Sequence, residues 1–214
     1  FIVSNLRHNM SGFSFLNNTI ETYYAGIQLE SSYNNTPKII GNTITGTGYS
    51  YGIHTSGKIV PVIENNTIEK KENAIYLNYD DANGDGRVVV KGNVIKDNNG
   101  YGIRAEGHAK PVISLNDIEG NSGYFVDNRT EYAVDARNNW WGETLKAVIE
   151  SGDNPRALDK FYDQFDDSTK GLVNYAGWLE FSPNSVKTEI TNIFKVSTLD
   201  GANAYWDAST ANSV

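Results

Sequence analysis

One six-residue motif, with asparagine in its fourth position, returns six times along the chain and fixes what it can fold into. The copies are Phe15-Leu16-Asn17-Asn18-Thr19-Ile20, Ile39-Ile40-Gly41-Asn42-Thr43-Ile44, Ile63-Glu64-Asn65-Asn66-Thr67-Ile68, Val90-Lys91-Gly92-Asn93-Val94-Ile95, Ile113-Ser114-Leu115-Asn116-Asp117-Ile118 and Ala136-Arg137-Asn138-Asn139-Trp140-Trp141. The shared asparagine falls at 18, 42, 66, 93, 116 and 139, so the repeat length is 23 to 27 residues. Between copies a second motif recurs, as Gly26-Ile27, Gly52-Ile53, Ala74-Ile75, Gly102-Ile103 and Phe125-Val126. Each unit therefore predicts two short alternating strands and turns, with no helical period long enough for a βαβ crossover. Units of this length with strands alone imply coils stacked as parallel sheets.

Alternation assigns the faces. In Ile63-x-x-Asn66-x-Ile68 the isoleucines and the asparagine share the interior after a turn. An asparagine repeated at one register stacks its amide on the next coil about 4.8 Å away. A buried amide is costly unless paired, so such a ladder makes the register specific.

The pattern resembles the right-handed parallel β-helix repeat family, which pectate-lyase-like proteins share with many surface proteins. The resemblance covers about residues 1–142. Asn138-Asn139-Trp140-Trp141-Gly142 is similar to the end of the last coil in that family, and Gly171-Leu172-Val173-Asn174-Tyr175-Ala176-Gly177-Trp178-Leu179 to the closing strand that often follows it. The expected fold is all-β, a solenoid of about six coils over 1–142. A mixed α/β cap follows over 143–182, then a linker and extension, or the start of another module, over 183–214. In the cap, residues 143–150 predict a short helix with Leu145, Val148 and Ile149 on one side. Asn154-Pro155 is expected to open a second helix carrying Leu158, Phe161 and Phe165. Trp140, Trp141 and Trp178 are read as packing of the cap, with sugar stacking as the alternative. In the extension, Val186, Thr188 and Ile190 alternate, and 194–198 is a further candidate strand.

Composition narrows the function. There are 18 Lys+Arg against 26 Asp+Glu, and no basic stripe to neutralise phosphates, which argues against nucleic acid. The same balance disfavours acidic polymers as non-specific ligands, although a local basic site could hold one. Cysteine is absent, which removes disulfides, thiolate metal sites and thiol catalysis. No apolar run reaches the roughly 18 residues needed to span a bilayer. The chain begins at Phe1 without a signal peptide and reads as a piece of something longer.

Three candidate sites stand out. The 27-residue unit carries Asp80-Asp81-Ala82-Asn83-Gly84-Asp85-Gly86-Arg87. Its Asp81-x-Asn83-x-Asp85-Gly86 matches the first half of a calcium loop, with the Arg87 carbonyl as a fourth ligand. Gly92 stands where the bidentate Glu belongs, so Asp80 or water would complete the shell; an ordinary Asp/Asn/Gly turn is the alternative. Second, the residues one beyond the second motif are Gln28, His54, Tyr76, Arg104 and Asp127, and two further on are Glu30, Ser56, Asn78, Glu106 and Arg129. Alternation points these outward on neighbouring rungs, where His54, Tyr76, Arg104 and Glu106 form one cluster. A uronate lyase or epimerase needs a cation for the carboxylate and a Tyr or His to move the proton; the alternative is a solvated polar face. No acidic cluster matches the pectate lyase calcium site, and no glycosidase carboxylate pair is evident. Third, Tyr24, Tyr51, Tyr101 and Tyr124 precede the second motif in different coils, as glycan-stacking rungs or as staples of the turns.

Five Asn-x-Ser/Thr sequons, at Asn9, Asn17, Asn34, Asn65 and Asn128, are candidate glycosylation points. The leading expectation is an extracellular or cell-surface module, structural or glycan-binding, without catalysis. Its partners would be a polysaccharide or surface glycan, further copies of itself, or further coils. The alternatives are a lyase or epimerase of uronate polymers, and a calcium-dependent adhesion module.

Overall fold

The computed structural model describes residues 12–48 and 50–184. The candidate strands beyond residue 185 and the Asn9 sequon lie outside them. Each coil has three strands rather than the expected two. The first coil is β1 (Ser14–Leu16), β2 (Thr19–Glu21) and β3 (Ile27–Asn35); the second is β4 (Lys38–Ile40), β5 (Thr43–Thr45) and β6 (Tyr51–Ile59). The third is β7 (Val62–Glu64), β8 (Thr67–Glu69) and β9 (Asn73–Tyr79); the fourth is β10 (Val89–Lys91), β11 (Val94–Lys96) and β12 (Ile103–Gly107). The fifth is β13 (Val112–Ser114), β14 (Asp117–Glu119) and β15 (Val126–Asn128). The cap follows with β16 (Val134–Asp135), α1 (Gly142–Glu150), β17 (Phe161–Tyr162) and β18 (Val173–Asn174). Five coils are complete among the described residues, and a sixth is closed by the cap.

Corresponding strands pair in parallel to form three sheets: β1-β4-β7-β10-β13-β16-β18, β2-β5-β8-β11-β14, and β3-β6-β9-β12-β15-β17. The six-residue motif yields two strands because its third residue turns the chain. Asn17, Asn65, Leu115 and Asn138 hold φ of 54°, 55°, 56° and 59° there, and Gly41 and Gly92 hold 70° and 67°. Glycine and asparagine suit this left-handed conformation best. The next residue points its side chain inward. Asn18, Asn42, Asn66, Asn93, Asn116 and Asn139 form a continuous ladder, each Nδ2 donating to the Oδ1 of the next at 2.8–2.9 Å.

Around the ladder the core is built of stacked isoleucines. Ile39, Ile63 and Ile113 fill one sheet with Val90; Ile44, Ile68, Ile95 and Ile118 fill the second; Ile27, Ile53, Ile75 and Ile103 fill the third, and all are fully buried. Burial of each such side chain contributes roughly 1.5–3 kcal/mol. The Gly of the second motif marks a tight corner: a Cβ on Gly52 would lie 2.4 Å from the Ile68 side chain.

A second asparagine ladder went unread in the sequence. Asn98 donates through Nδ2 to Asn121 Oδ1 at 2.8 Å, at the corner between the second and third sheets. Its signal was an equal offset, since both asparagines follow their six-residue motif by the same distance. Lys71 takes the equivalent place one coil earlier. Its backbone N–H donates to Asn98 Oδ1, and its buried amine donates to the carbonyls of Thr22 and Tyr24, both at 2.8 Å.

The cap is partly as expected. Helix α1 buries Leu145 and Ile149 against the last coil, and Trp140 and Trp141 are buried, which removes them as sugar platforms. The expected helix after Pro155 is not formed. Instead Phe161–Tyr162 becomes β17 and pairs with β15, satisfying backbone groups that a helix would have left open at the sheet edge. Phe165 is correspondingly exposed. The anticipated closing strand is β18, paired in parallel with β16.

Candidate functional site

The third sheet is the longest-stranded face, and one outward row crosses it. The register pairs Gln28 with His54, His54 with Tyr76, Tyr76 with Arg104, Arg104 with Asp127, and Asp127 with Tyr162. At about 4.8 Å per strand the row runs roughly 24 Å. Of the four residues singled out as a cluster, His54, Tyr76 and Arg104 lie on it, and Glu106 lies on the row beside it, opposite Asn78. Tyr162 completes the row from the cap, and the repeat gave no signal for it.

One end of the row is aromatic. The rings of Tyr51 and His54 stand 4.9 Å apart, Tyr51 and Tyr76 5.3 Å, and His54 and Tyr76 4.8 Å, edge to face in the last pair. All three are half-buried, so each keeps part of its ring open to solvent. Burial lowers the His54 pKa and outweighs the opposing pull of Glu30. The imidazole is therefore neutral at neutral pH. The Tyr76 hydroxyl donates to Glu106 Oε2 at 2.7 Å. Burial and this carboxylate both push the Tyr76 pKa well upward, so the phenol keeps its proton.

The other end is a closed ion-pair network. Arg104 donates through Nε to Asp127 Oδ2 at 2.6 Å and reaches Glu106 at 3.6 Å. Its guanidinium also lies 4.6 Å from the centre of the Tyr101 ring. Arg129 bonds the other Asp127 oxygen and stacks over Tyr162. Asp127 was expected to face solvent, but its side chain is 0 % exposed, because the two arginines lie over it.

The four tyrosines read as rungs do not form one line. Tyr24 is exposed and meets Tyr23, whereas Tyr124 pairs with Tyr162 at 5.5 Å. Tyr101 is buried and supports Arg104 from beneath, so it offers no platform to a glycan. The ring of Tyr51 packs against those of His54 and Tyr76.

At the loop read as a calcium site, Asp81 forms an ion pair with Lys58 at 2.9 Å. Its other oxygen accepts the Asn83 backbone N–H at 3.1 Å, which is the geometry of an Asx turn. Asn83, Asp85 and Arg87 are exposed. Among the described residues no group of three or more His, Cys, Asp or Glu gathers to hold a metal ion. The sequons also divide. Asn17, Asn34 and Asn65 are exposed, while Asn128 is buried and donates to the carbonyls of Tyr132 and Gly171, so it is withdrawn as an attachment point.

A cavity of about 780 Å³ between α1 and the neighbouring coil corner shares no residue with the row; Asp97, Glu119, Trp141, Leu145 and Lys160 are among its walls. No helix among the described residues is long and apolar enough to cross a membrane. Neither a curated protein nor a solved structure matches the chain. The family model described as "Right handed beta helix region" matches residues 5–141. With that match over more than half its length, and with parallel coils of the kind typical of the pectate-lyase-like superfamily, the chain belongs to the right-handed β-helix family.

Proposed function

We propose that this chain is a non-catalytic, glycan-binding β-helix module of the cell exterior, and that the outward row of its third sheet is the binding face. The observation that carries the proposal is the partly exposed aromatic cluster of Tyr51, His54 and Tyr76 on the outer face of the third sheet. Partly exposed rings accept the C–H face of a sugar, while Glu106, Ser56 and Asn78 beside them supply hydrogen-bonding groups. An open row some 24 Å long suits a polymer better than a small molecule. The extracellular setting rests on the habit of the fold family and on the exposed sequons at Asn17, Asn34 and Asn65.

A lyase or epimerase acting through His54, Tyr76, Arg104 and Glu106 is disfavoured by the chemistry of the same residues. That reaction needs a cation free to meet a uronate carboxylate, and Arg104 is held by Asp127. The Tyr76 phenol is held protonated and so does not supply the base, which leaves that part of the reaction to His54 alone. Calcium at Asp81, Asn83, Asp85 and Arg87 stays a separate proposal supported by spacing alone. An ion there would displace Lys58 from Asp81, and a calcium titration followed by Tm decides it.

The test is calorimetric titration with extracellular polysaccharides, using wild type and Tyr76→Ala. Binding should weaken about tenfold in the variant, the order expected for one lost aromatic contact. Equal affinity in the two proteins would move the site elsewhere, and turnover of a uronate polymer would replace binding with catalysis.

A further inference from the structure

We infer that the row selects an uncharged, hydroxyl-rich glycan and rejects uronate polymers, and that buried Asp127 is the residue that sets this choice. The inference rests on the glycan-binding reading and adds the chemical class of the ligand.

Five ionised groups mark the row: Arg104 and Arg129 against Glu30, Glu106 and Asp127. Both cations are spent. Asp127 accepts from Arg104 with one oxygen and from Arg129 with the other, and it does so with its side chain 0 % exposed. A fully buried carboxylate cannot be left unpaired without a large desolvation cost, so neither arginine is free to swing toward a ligand carboxylate. Each guanidinium is further fixed by an aromatic ring, Arg104 over Tyr101 and Arg129 over Tyr162.

What remains open to a ligand is neutral or acidic. The aromatic cluster carries no charge, since His54 and Tyr76 are both neutral at neutral pH. Glu106 uses one oxygen for the Tyr76 hydroxyl and the other faces Arg104 at 3.6 Å, longer than a hydrogen bond. That second oxygen is an acceptor for a sugar hydroxyl, as is exposed Glu30 near His54. A carboxylate gains from a hydroxyl donor and is repelled by a ligand carboxylate, so this arrangement discriminates by sign. The chain's overall excess of acid adds to the effect at longer range.

The experiment is retention on an array carrying uncharged hexose oligomers beside oligogalacturonates of equal length, with wild type, Tyr76→Ala, Asp127→Asn and Glu106→Gln. For wild type, retention should be confined to uncharged members and lost in Tyr76→Ala. Asp127→Asn releases both guanidinium groups and should raise oligogalacturonate retention at least tenfold, in a manner that added salt reverses. Because Asp127 is buried, its variant is checked by thermal melting. If it does not fold, the half-buried Glu106→Gln replaces it, with about tenfold weaker retention of uncharged oligomers expected and a rise for the acidic ones. Wild-type retention of uronates that Tyr76→Ala abolishes would overturn the ligand class while leaving glycan binding intact. No retention of any member would overturn both. A folded Asp127→Asn that gains nothing would overturn the role given to Asp127.

Discussion

Leu115 holds φ of 56° without the glycine or asparagine that occupies this corner in the other coils, and it is 39 % exposed. A branched side chain in the left-handed region costs roughly 1–2 kcal/mol, whereas asparagine adopts it with less penalty. Leu115→Asn should therefore stabilise the protein by about 0.5–1 kcal/mol, read as a rise in Tm. Asn66 shows the opposite case. Its Nδ2 donates to Asn93 Oδ1 and to the Ile39 carbonyl, and its Oδ1 accepts from Nδ2 and the backbone N–H of Asn42. Asn66→Ala leaves several buried groups unpaired in mid-stack. A loss of about 3–5 kcal/mol in denaturant unfolding is expected, and a loss below 1 kcal/mol would mean the ladder is not what fixes the coils.

Among the elements, the parts repeated every coil were legible and the parts made once were not. Six copies of one motif located the first ladder and the strand region that carries it, because the inward asparagine and the isoleucine two residues later recur at fixed offsets. The split of that motif into two strands was hidden, since a single left-handed residue makes the corner and alternation resumes at once beyond it. The second ladder was hidden for lack of copies. Among the described residues only Asn98 and Asn121 show it, and Lys71 replaces the next rung by reaching two coils away for carbonyls. In the cap, Phe161 looked helical by spacing, but the open edge of β15 drew it into a strand. Apolar spacing cannot foresee such an edge, because the demand comes from a coil distant in sequence.

For the molecule as a whole, the solenoid turns sequence offset into position, so the outward row was also legible from residue numbers alone. His54, Tyr76, Arg104 and Asp127 were placed side by side by their shared offset, and the register aligns them. Pairing within the row was not legible. Alternation gives the face but not the rotamer, so it could not show that Arg104 and Arg129 converge on Asp127, nor that a cap strand brings Tyr162 over Arg129. That closure weighs against the alternative of uronate chemistry on this face and favours the proposed binding role. The three histidines of the chain allow a direct test, since His54 lies in the aromatic cluster and His108 pairs instead with Tyr132 outside it. In NMR spectra of the imidazole ring signals, a retained glycan should shift His54 saturably and leave His108 unmoved. A glycan that binds while shifting His108, or neither of these two, would contradict the placement of the binding face on the third sheet.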